Sequence, residues 1–332
     1  MEFGPVPPER AVGAILAHSL PLPEGRLRKG RRLTEEDAAR LRAAGVEAVT
    51  VARPGPTEVE EDEAAARLAA ALVPDPEAAG LSVGRAATGR VNLHATGPGV
   101  IEVDAEAIRA LNAVEPMITF ACLAPWSRVA ERTLVGTVKI IAYAVEGAAL
   151  ERACEAARGA LRLRPTRLTA VSLILTEVPG EPQAPDGKGP RAVAGRVEAL
   201  GGRLVETRVV AHEEEAIRGA VEAARGEAVL ILTASATSDA RDVAPAAVTG
   251  AGGTLVRFGM PVDPGNLLFL ARLGERPVIG LPGCARSPAL NGADWVMERV
   301  LCGVEVTSED IAAMGVGGLL KEIPQRGRPR EG

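Results

Sequence analysis

The sequence predicts a two-part chain: a C-terminal domain built as a mostly parallel three-layer α/β/α sheet, preceded by a smaller α+β, β-rich region. Three observations predict it. From Leu168 onward, continuous apolar runs alternate with amphipathic stretches of helical length, the pattern of parallel strands covered by helices on both faces. Before residue 160 the apolar runs are shorter and no helix alternates regularly with them. Aromatic residues make up only 2% of a chain that is 47% hydrophobic, so Ala, Val and Leu must fill the cores, which suits close-packed helices on a sheet. At 332 residues the chain exceeds the roughly 250–300 at which single cores stop growing. The expected boundaries are 1–160, 167–322 and a disordered tail over 323–332.

Taken in order, the first element is a helix in "LTEEDAARLRAAG". Thr34 and Asp37 form a capping-box pattern, acidic residues fill the first turn, and Gly45 stops it. "VEAVTVA" alternates as a half-buried strand. "EVEEDEAAARLAAALV" is a second helix with an acidic start that suits the dipole. "GRVNLHA", "PMITFACL" and "LVGTVKIIAYAV" read as strands around one short helix opened by Asp104. A helix covers 147–160, and "RLRPTR" reads as a linker.

In the second part, "LTAVSLIL", "RLVETRVV" and "EAVLILT" are strands, with helices at "RAVAGRVEALGG", "EEEAIRGAVEAARG" and "VAPAAVTGA". Residues 257–288, "RFGMPVDPGNLLFLARLGERPVIGLPGCARSP", contribute two more strands, followed by the helix "SPALNGADWVMERVLCG". No internal repeat is visible.

The totals exclude several classes. A net charge of −5 and few aromatics argue against a nucleic-acid binder. The four cysteines lie far apart without a C-x-x-C pair, and the three histidines are scattered, so neither a disulfide framework nor a zinc site is expected. "MEFGPVPPER" lacks the signature of a signal peptide, and no apolar run reaches the ~20 residues of a membrane span. The expectation is a soluble, cytoplasmic protein. Basic residues are almost all Arg; the four exceptions are Lys29, Lys139, Lys188 and Lys321.

Ligands of doubly wound sheets sit beyond the carboxyl ends of the strands. Four segments fall there: "EVPGEPQAPDGKGPR", "AHEEE", "TASATSDARDVAP", and the pair "GMPVDPGN" and "GLPGCARSP". In the third, Thr233, Ser235, Thr237 and Ser238 supply donors for an anion, beside free N–H groups at the next helix start. Asp239 and Asp242 are spaced to share a Mg²⁺; the plainer reading makes Asp242 a helix cap. Pro264, Gly265, Pro282 and Gly283 read either as simple turns or as one rigid pocket rim. Arg286 and Ser287 are expected at a helix start, where a phosphate would be welcome. Cys284 reads as a small buried filler, because no base stands near it. The basic run Arg26 to Arg32 could meet phosphates or be a solvated turn. His94 could touch a ligand or pack within its strand. Lys139 could snorkel, pair with a carboxylate, or reach into a cleft. There is no P-loop, no G-x-S-x-G and no H-E-x-x-H.

These loops resemble known sequences. "TASATSDARDVAPAAV" is similar, in register, to the T-G-G-T-G-x-x-x-R-D-V-x-P-x-A segment of molybdopterin-binding domains. "DPGN" and "PVIGLPGCA" resemble the P-G-K-P and G-L-P-G-N-P pair of molybdopterin molybdenumtransferases, whose opening segment resembles residues 12–53. As a whole the chain resembles a bacterial group of molybdopterin-binding proteins, some of them fused to a nucleotidyltransferase domain. The resemblance implies an α/β sheet holding the pterin and its terminal phosphate, with molybdopterin or the molybdenum cofactor as ligand. Thr233, Ser235 and Thr237 would line the phosphate pocket and Asp242 would be the acidic group near the reacting end. Pro264, Gly265, Pro282 and Gly283 would shape the pterin-side wall. Three departures stand out: Ala234-Ser235 replaces Gly-Gly, His212 stands where an acidic residue is expected, and Cys284 replaces Asn. They favour a carrier that presents the ligand to a nucleotidyltransferase or a molybdoenzyme maturation partner, as a homo-oligomer. The alternative is a Mg²⁺-dependent molybdopterin adenylyltransferase or molybdenumtransferase, with Asp242 and Glu213 or Asp239 holding the ion. A nucleotide or sugar-phosphate binder on the same fold is a third reading.

Overall fold

A computed structural model describes residues 1–320; the tail expected at 323–332 lies outside them. The chain divides into two compact units. The first comprises residues 1–96, 101–127 and 131–163; the second takes 97–100, 128–130 and the described residues from 164 to 320. The second unit therefore borrows two short pieces from the N-terminal half of the sequence.

The first unit is β-rich. Its helix Glu35–Ala43 opens on the expected capping box, with both arms between Thr34 and Asp37 formed. Leu41 of that helix packs with Leu16, Leu27, Leu33, Val49 and Val51 in one buried cluster. An antiparallel sheet runs in the order Ile118–Cys122, Leu134–Ile140, Arg90–Ala95, Leu81–Val83. The helix over Ala105–Val114 is capped by Asp104, whose carboxylate accepts the Ala107 N–H. "RLRPTR" is not a linker: Leu161–Pro165 is a strand of a three-stranded sheet. Leu161 and Leu163 point inward between exposed or half-exposed arginines, a period-two pattern.

The second unit carries a six-stranded sheet, here numbered β1 (Ala170–Glu177), β2 (Arg203–Ala211), β3 (Ala228–Leu232), β4 (Thr254–Phe258), β5 (Phe269–Leu273) and β6 (Arg276–Leu281). Its helices are α1 (Lys188–Glu198), α2 (Glu214–Glu222), α3 (Val243–Gly250), α4 (Gly292–Leu301) and α5 (Ser308–Ala313). The strand order is β2-β1-β3-β6-β5-β4. β2, β1, β3 and β6 are parallel, and only β5 runs against its neighbours. The stretch 257–288 contains the two expected strands plus the end of a third, β4.

β1 and β3 are apolar along almost their whole length because both faces are covered. Ile174, Val229, Ile231 and Val278 pack with Ile217, Ala220 and Val221 of α2 and Ala244, Ala247 and Val248 of α3. Leu173, Leu175, Leu230 and Leu232 alternate to the opposite face and are fully buried as well. The Phe269 ring lies directly over Gly280 of the adjacent strand; a Cβ there would fall 1.9 Å from the ring. The sheet thus accommodates its largest fully buried side chain by omitting one opposite it.

Candidate functional site

The strand order decides where a ligand can sit. β2 lies to one side of β1 and β3 to the other, so the chain reverses its direction of travel across the sheet between β1 and β3. Crevices form at such switch points, beyond the carboxyl ends. The loops at that edge are 178–187 after β1, 212–213 after β2, 233–242 after β3 and 282–291 after β6. Because β5 is antiparallel, pairing Phe269 with Gly280, the β4–β5 loop 259–268 emerges on the same edge. Both proline and glycine clusters therefore share one rim.

Arg286 ties three of these loops together. Its Nη1 donates to Gln183 Oε1 at 3.0 Å and its Nη2 to the Thr233 carbonyl at 2.8 Å. Its stem crosses Gly189 in the first turn of α1. The guanidinium is half-buried, burial pushes its pKa down, and no carboxylate pairs with it among the described residues. A cation held out of water without a counter-ion at a switch point is suited to an anionic group. The sequence placed Arg286 and Ser287 at a helix start, and the structure corrects this. They end and follow a 3₁₀ turn at Gly283–Arg286, and α4 begins only at Gly292 behind its Asn291 cap.

A second cation holds the same loop in place. Arg196 of α1 is buried and uses all five donors. Nε pairs with Asp294, Nη1 donates to the carbonyls of Ala192 and Ala285 at 3.1 Å each, and Nη2 to those of Ser287 at 2.7 Å and Ala289 at 2.9 Å. Asp294 also accepts the Asn291 N–H at 2.8 Å, closing the capping box of α4. No local signal in the sequence connects these residues.

The hydroxyl-rich loop divides into an anchored start and an exposed tip. Thr233 and Thr237 are buried, and Thr233 Oγ1 donates to the Ser235 carbonyl at 2.6 Å. Ser235 and Ser238 are exposed. Asp242 acts as the cap of α3: one carboxylate oxygen accepts the Val243 N–H at 2.8 Å and the other the Ser238 N–H at 3.0 Å. Asp239 is turned to Arg241, whose side chain and backbone N–H hold its pKa down to about 2. Glu213 is exposed at the start of α2. Asp239 and Asp242 are each engaged in bonds of their own, and no group of three His, Cys, Asp or Glu side chains fit to hold a metal ion exists among the described residues. As donors for a Mg²⁺ these residues do not fit.

On the rim, Gly265 sits at φ +139°, and a Cβ there would meet the Gly292 backbone N at 2.6 Å. The Gly292 N–H in turn donates to the Pro264 carbonyl at 2.8 Å. Pro264 and Gly265 thus seat the rim on the first turn of α4. Pro282 is buried, Gly283 is exposed with open space before it, and Cys284 is half-buried. On the other side of the switch point, Thr176 at the end of β1 accepts the Ala234 N–H at 2.7 Å and meets His212 Nδ1 at 2.9 Å. A hollow of about 300 Å³ opens beside it, lined by Glu177, Val178, Pro179, His212 and Glu213.

Residues 179–301 match the model of a probable molybdopterin binding domain. The match spans all five loops of the edge and links this part of the chain to molybdenum cofactor biosynthesis. Residues 5–53 match a domain of unknown function. No curated protein matches the chain. Among solved structures, a molybdopterin biosynthesis moea protein from Pyrococcus horikosii is similar at 14% identity, over 91% of this chain and 74% of that one, with a TM-score of 0.30. A molybdenum cofactor biosynthesis protein from Pyrococcus furiosus shows 14% identity over 90% and 61%, at 0.23. A molybdenum cofactor biosynthesis protein B shows 12% over 42% and 96%, at 0.31. At these scores the structural likenesses carry no argument, and the similarity to a molybdopterin binding domain rests on the sequence match over residues 179–301.

Lys139, the basic run and His94 lie in the first unit, Lys188 opens α1 of the second, and Lys321 lies outside the described residues. Lys139 Nζ donates to the Thr88 carbonyl, and its charge opposes the upward push that burial gives the Glu61 carboxyl. Arg31 pairs with Asp37 at 2.8 Å and Arg32 with Glu60, which is the solvated-turn reading of the basic run. His94 is half-buried within its strand. No helix among the described residues is long and apolar enough to cross a membrane.

Proposed function

We propose that the chain binds molybdopterin or the molybdenum cofactor at the switch point of the second unit and carries it, rather than adenylylating it or inserting metal. The observation behind this reading is Arg286, a half-buried guanidinium that has no counter-ion among the described residues and joins three loops of the region matched by a molybdopterin binding domain. In this reading the terminal phosphate of the ligand meets Arg286, Thr237 and the exposed Ser235 and Ser238. Thr233 shapes the turn beneath them, while Pro282, Gly283, Pro264 and Gly265 form the wall. Ser287 supports the loop through its carbonyl, which Arg196 holds. The carboxylates that a Mg²⁺-dependent transfer would use are engaged elsewhere, Asp242 as a cap and Asp239 with Arg241. The same reading has the protein act in the cytoplasm as an assembly of identical chains. It would hand its ligand to a nucleotidyltransferase or a molybdoenzyme maturation partner. Titrating the protein with molybdopterin, before and after Arg286→Met, tests it: binding is expected, and the substitution should weaken it by roughly tenfold or more, as for a lost charge-assisted hydrogen bond.

A further inference from the structure

The first unit has a cavity of its own, remote in sequence from the loops of the six-stranded sheet. Strand Glu2–Val6 runs antiparallel to strand Val49–Arg53 at the edge of a three-stranded sheet, pairing Glu2 with Arg53, Gly4 with Val51 and Val6 with Val49. Directly opposite residues of such a pair share a face. This face is the one on which Val49 and Val51 enter the buried cluster, with Val6 packed against it. Gly4 interrupts the row. A Cβ built on it meets nothing within 4 Å, and the space it leaves belongs to a hollow of about 430 Å³ whose lining includes Glu2, Val6, Arg10, Val51 and Arg53. Small-molecule sites occupy roughly 300–1,000 Å³, so the hollow is large enough for a small ligand.

Two cations stand in this lining. Arg53 is half-buried, and its Nη2 donates to the carbonyls of Arg10 at 2.7 Å and Val12 at 3.2 Å. Those bonds fix the guanidinium and use the Nη2 donors; its Nε and Nη1 donors have no acceptor among the described residues. The exposed Arg10 side chain has neither a hydrogen bond nor an ion pair among the described residues. Glu2 stands across the strand pair from Arg53, yet neither arginine forms an ion pair with it. Two guanidinium groups against one carboxylate leave the lining with a single positive charge in excess.

We propose that this hollow binds a small monocarboxylate with an apolar body. The carboxylate takes the unused donors of Arg53 and the charge of Arg10, while the body lies over Val6 and Val51 in the space that Gly4 leaves. A guanidinium already fixed by two main-chain carbonyls loses little freedom on binding, and its bond to a carboxylate is charge-assisted. One negative charge balances the excess of the lining, whereas a doubly charged group would also meet repulsion from Glu2. Val6, Arg10, Val51 and Arg53 all lie in the stretch 5–53 matched by a domain of unknown function. The assignment does not depend on molybdopterin binding in the second unit.

The test uses the full chain with 2-naphthoate, a fluorescent monocarboxylate, and 2-naphthamide, its neutral counterpart. Naphthoate should bind roughly tenfold or more tightly than the amide. Arg53→Met should weaken naphthoate by about tenfold and leave the amide unmoved. Gly4→Leu should exclude both probes while the thermal midpoint holds, because the new side chain enters open space. Glu2→Gln, which removes the negative charge from the lining, should tighten naphthoate by about twofold to fivefold. Arg286→Met in the second unit should change nothing. No saturable naphthoate binding, equal affinity for the two probes, or naphthoate affinity unchanged in Arg53→Met or Gly4→Leu would overturn the assignment. Loss of naphthoate binding in Arg286→Met, or phenyl phosphate binding more tightly than naphthoate, would overturn it as well.

Discussion

Replacing Arg196 by methionine keeps the length of the side chain and removes a charge that the fold has enclosed. Five hydrogen bonds are lost at once: one to Asp294 and four to the carbonyls of Ala192, Ala285, Ser287 and Ala289. Asp294 is left buried, with only 4% of its surface exposed, and without its partner. Breaking a buried pair from one side costs roughly 3–5 kcal/mol, since the remaining charge has no compensation. At about 2–4 °C per kcal/mol for a unit of this size, the thermal midpoint should fall on the order of 10 °C. Adding Asp294→Asn keeps an acceptor for the Asn291 N–H while removing the stranded charge, so the double variant should regain about 1 kcal/mol or more. Because Arg196 holds the loop that carries Arg286, molybdopterin affinity should also fall although Arg196 is placed beneath the proposed site. Thermal and denaturant unfolding, read with circular dichroism, check the first effect. An Arg196→Met protein melting within about 2 °C of the original would refute the reasoning, because an enclosed charge pair cannot be removed from one side so cheaply.

Other outcomes follow from the same structure. Burial pushes the Glu298 carboxyl up to about 7 against the pull of Arg128 at 3.4 Å. Its contribution to stability is therefore full below its unfolded value near 4.5 and disappears as pH rises through about 7; Glu298→Gln should flatten this loss, on the order of 3 kcal/mol, in denaturant melts between pH 4 and 8. Gly280→Ala drives a methyl into the Phe269 ring and should cost roughly 1–3 kcal/mol, with Phe269→Leu in the same chain restoring part of it. Asp242→Ala removes the cap of α3 and should lower stability by about 1 kcal/mol, whereas Asp242→Asn, which keeps an acceptor, should melt near the original temperature; an equal loss in both would contradict the cap.

Much of the fold was legible because its cues are local. Thr34 and Asp37 stand three residues apart and form the box that their spacing implies. Asp242 sits directly before an apolar helical run and caps it. The continuous apolar character of β1 and β3 marks strands covered on both faces. Where the cues were mixed, elements were missed. Alternating arginines hid the strand Leu161–Pro165, and β4 is half-exposed along nearly its whole length. The loops at the carboxyl edge were also legible, since turn residues and strand ends are local features. The bonds that give those loops their chemistry were not. Arg196 and Asp294 are 98 residues apart, Arg286 reaches Thr233 and Gln183 across 53 and 103 residues, and Thr176 meets His212 across 36. Asp239, whose spacing from Asp242 suggests a shared ion, also has a partner two residues away in Arg241, which donates to it from its backbone and its side chain.

The central claim is that the switch point of the second unit binds molybdopterin without turning it over. Its most direct test is titration of the purified full chain with molybdopterin and, separately, with ATP and Mg²⁺, following ligand binding and nucleotide release in the same samples. Saturable molybdopterin binding that weakens in Arg286→Met, with no nucleotide consumed, is the predicted result. ATP-dependent adenylylation of the pterin, or binding that ignores Arg286, would contradict it.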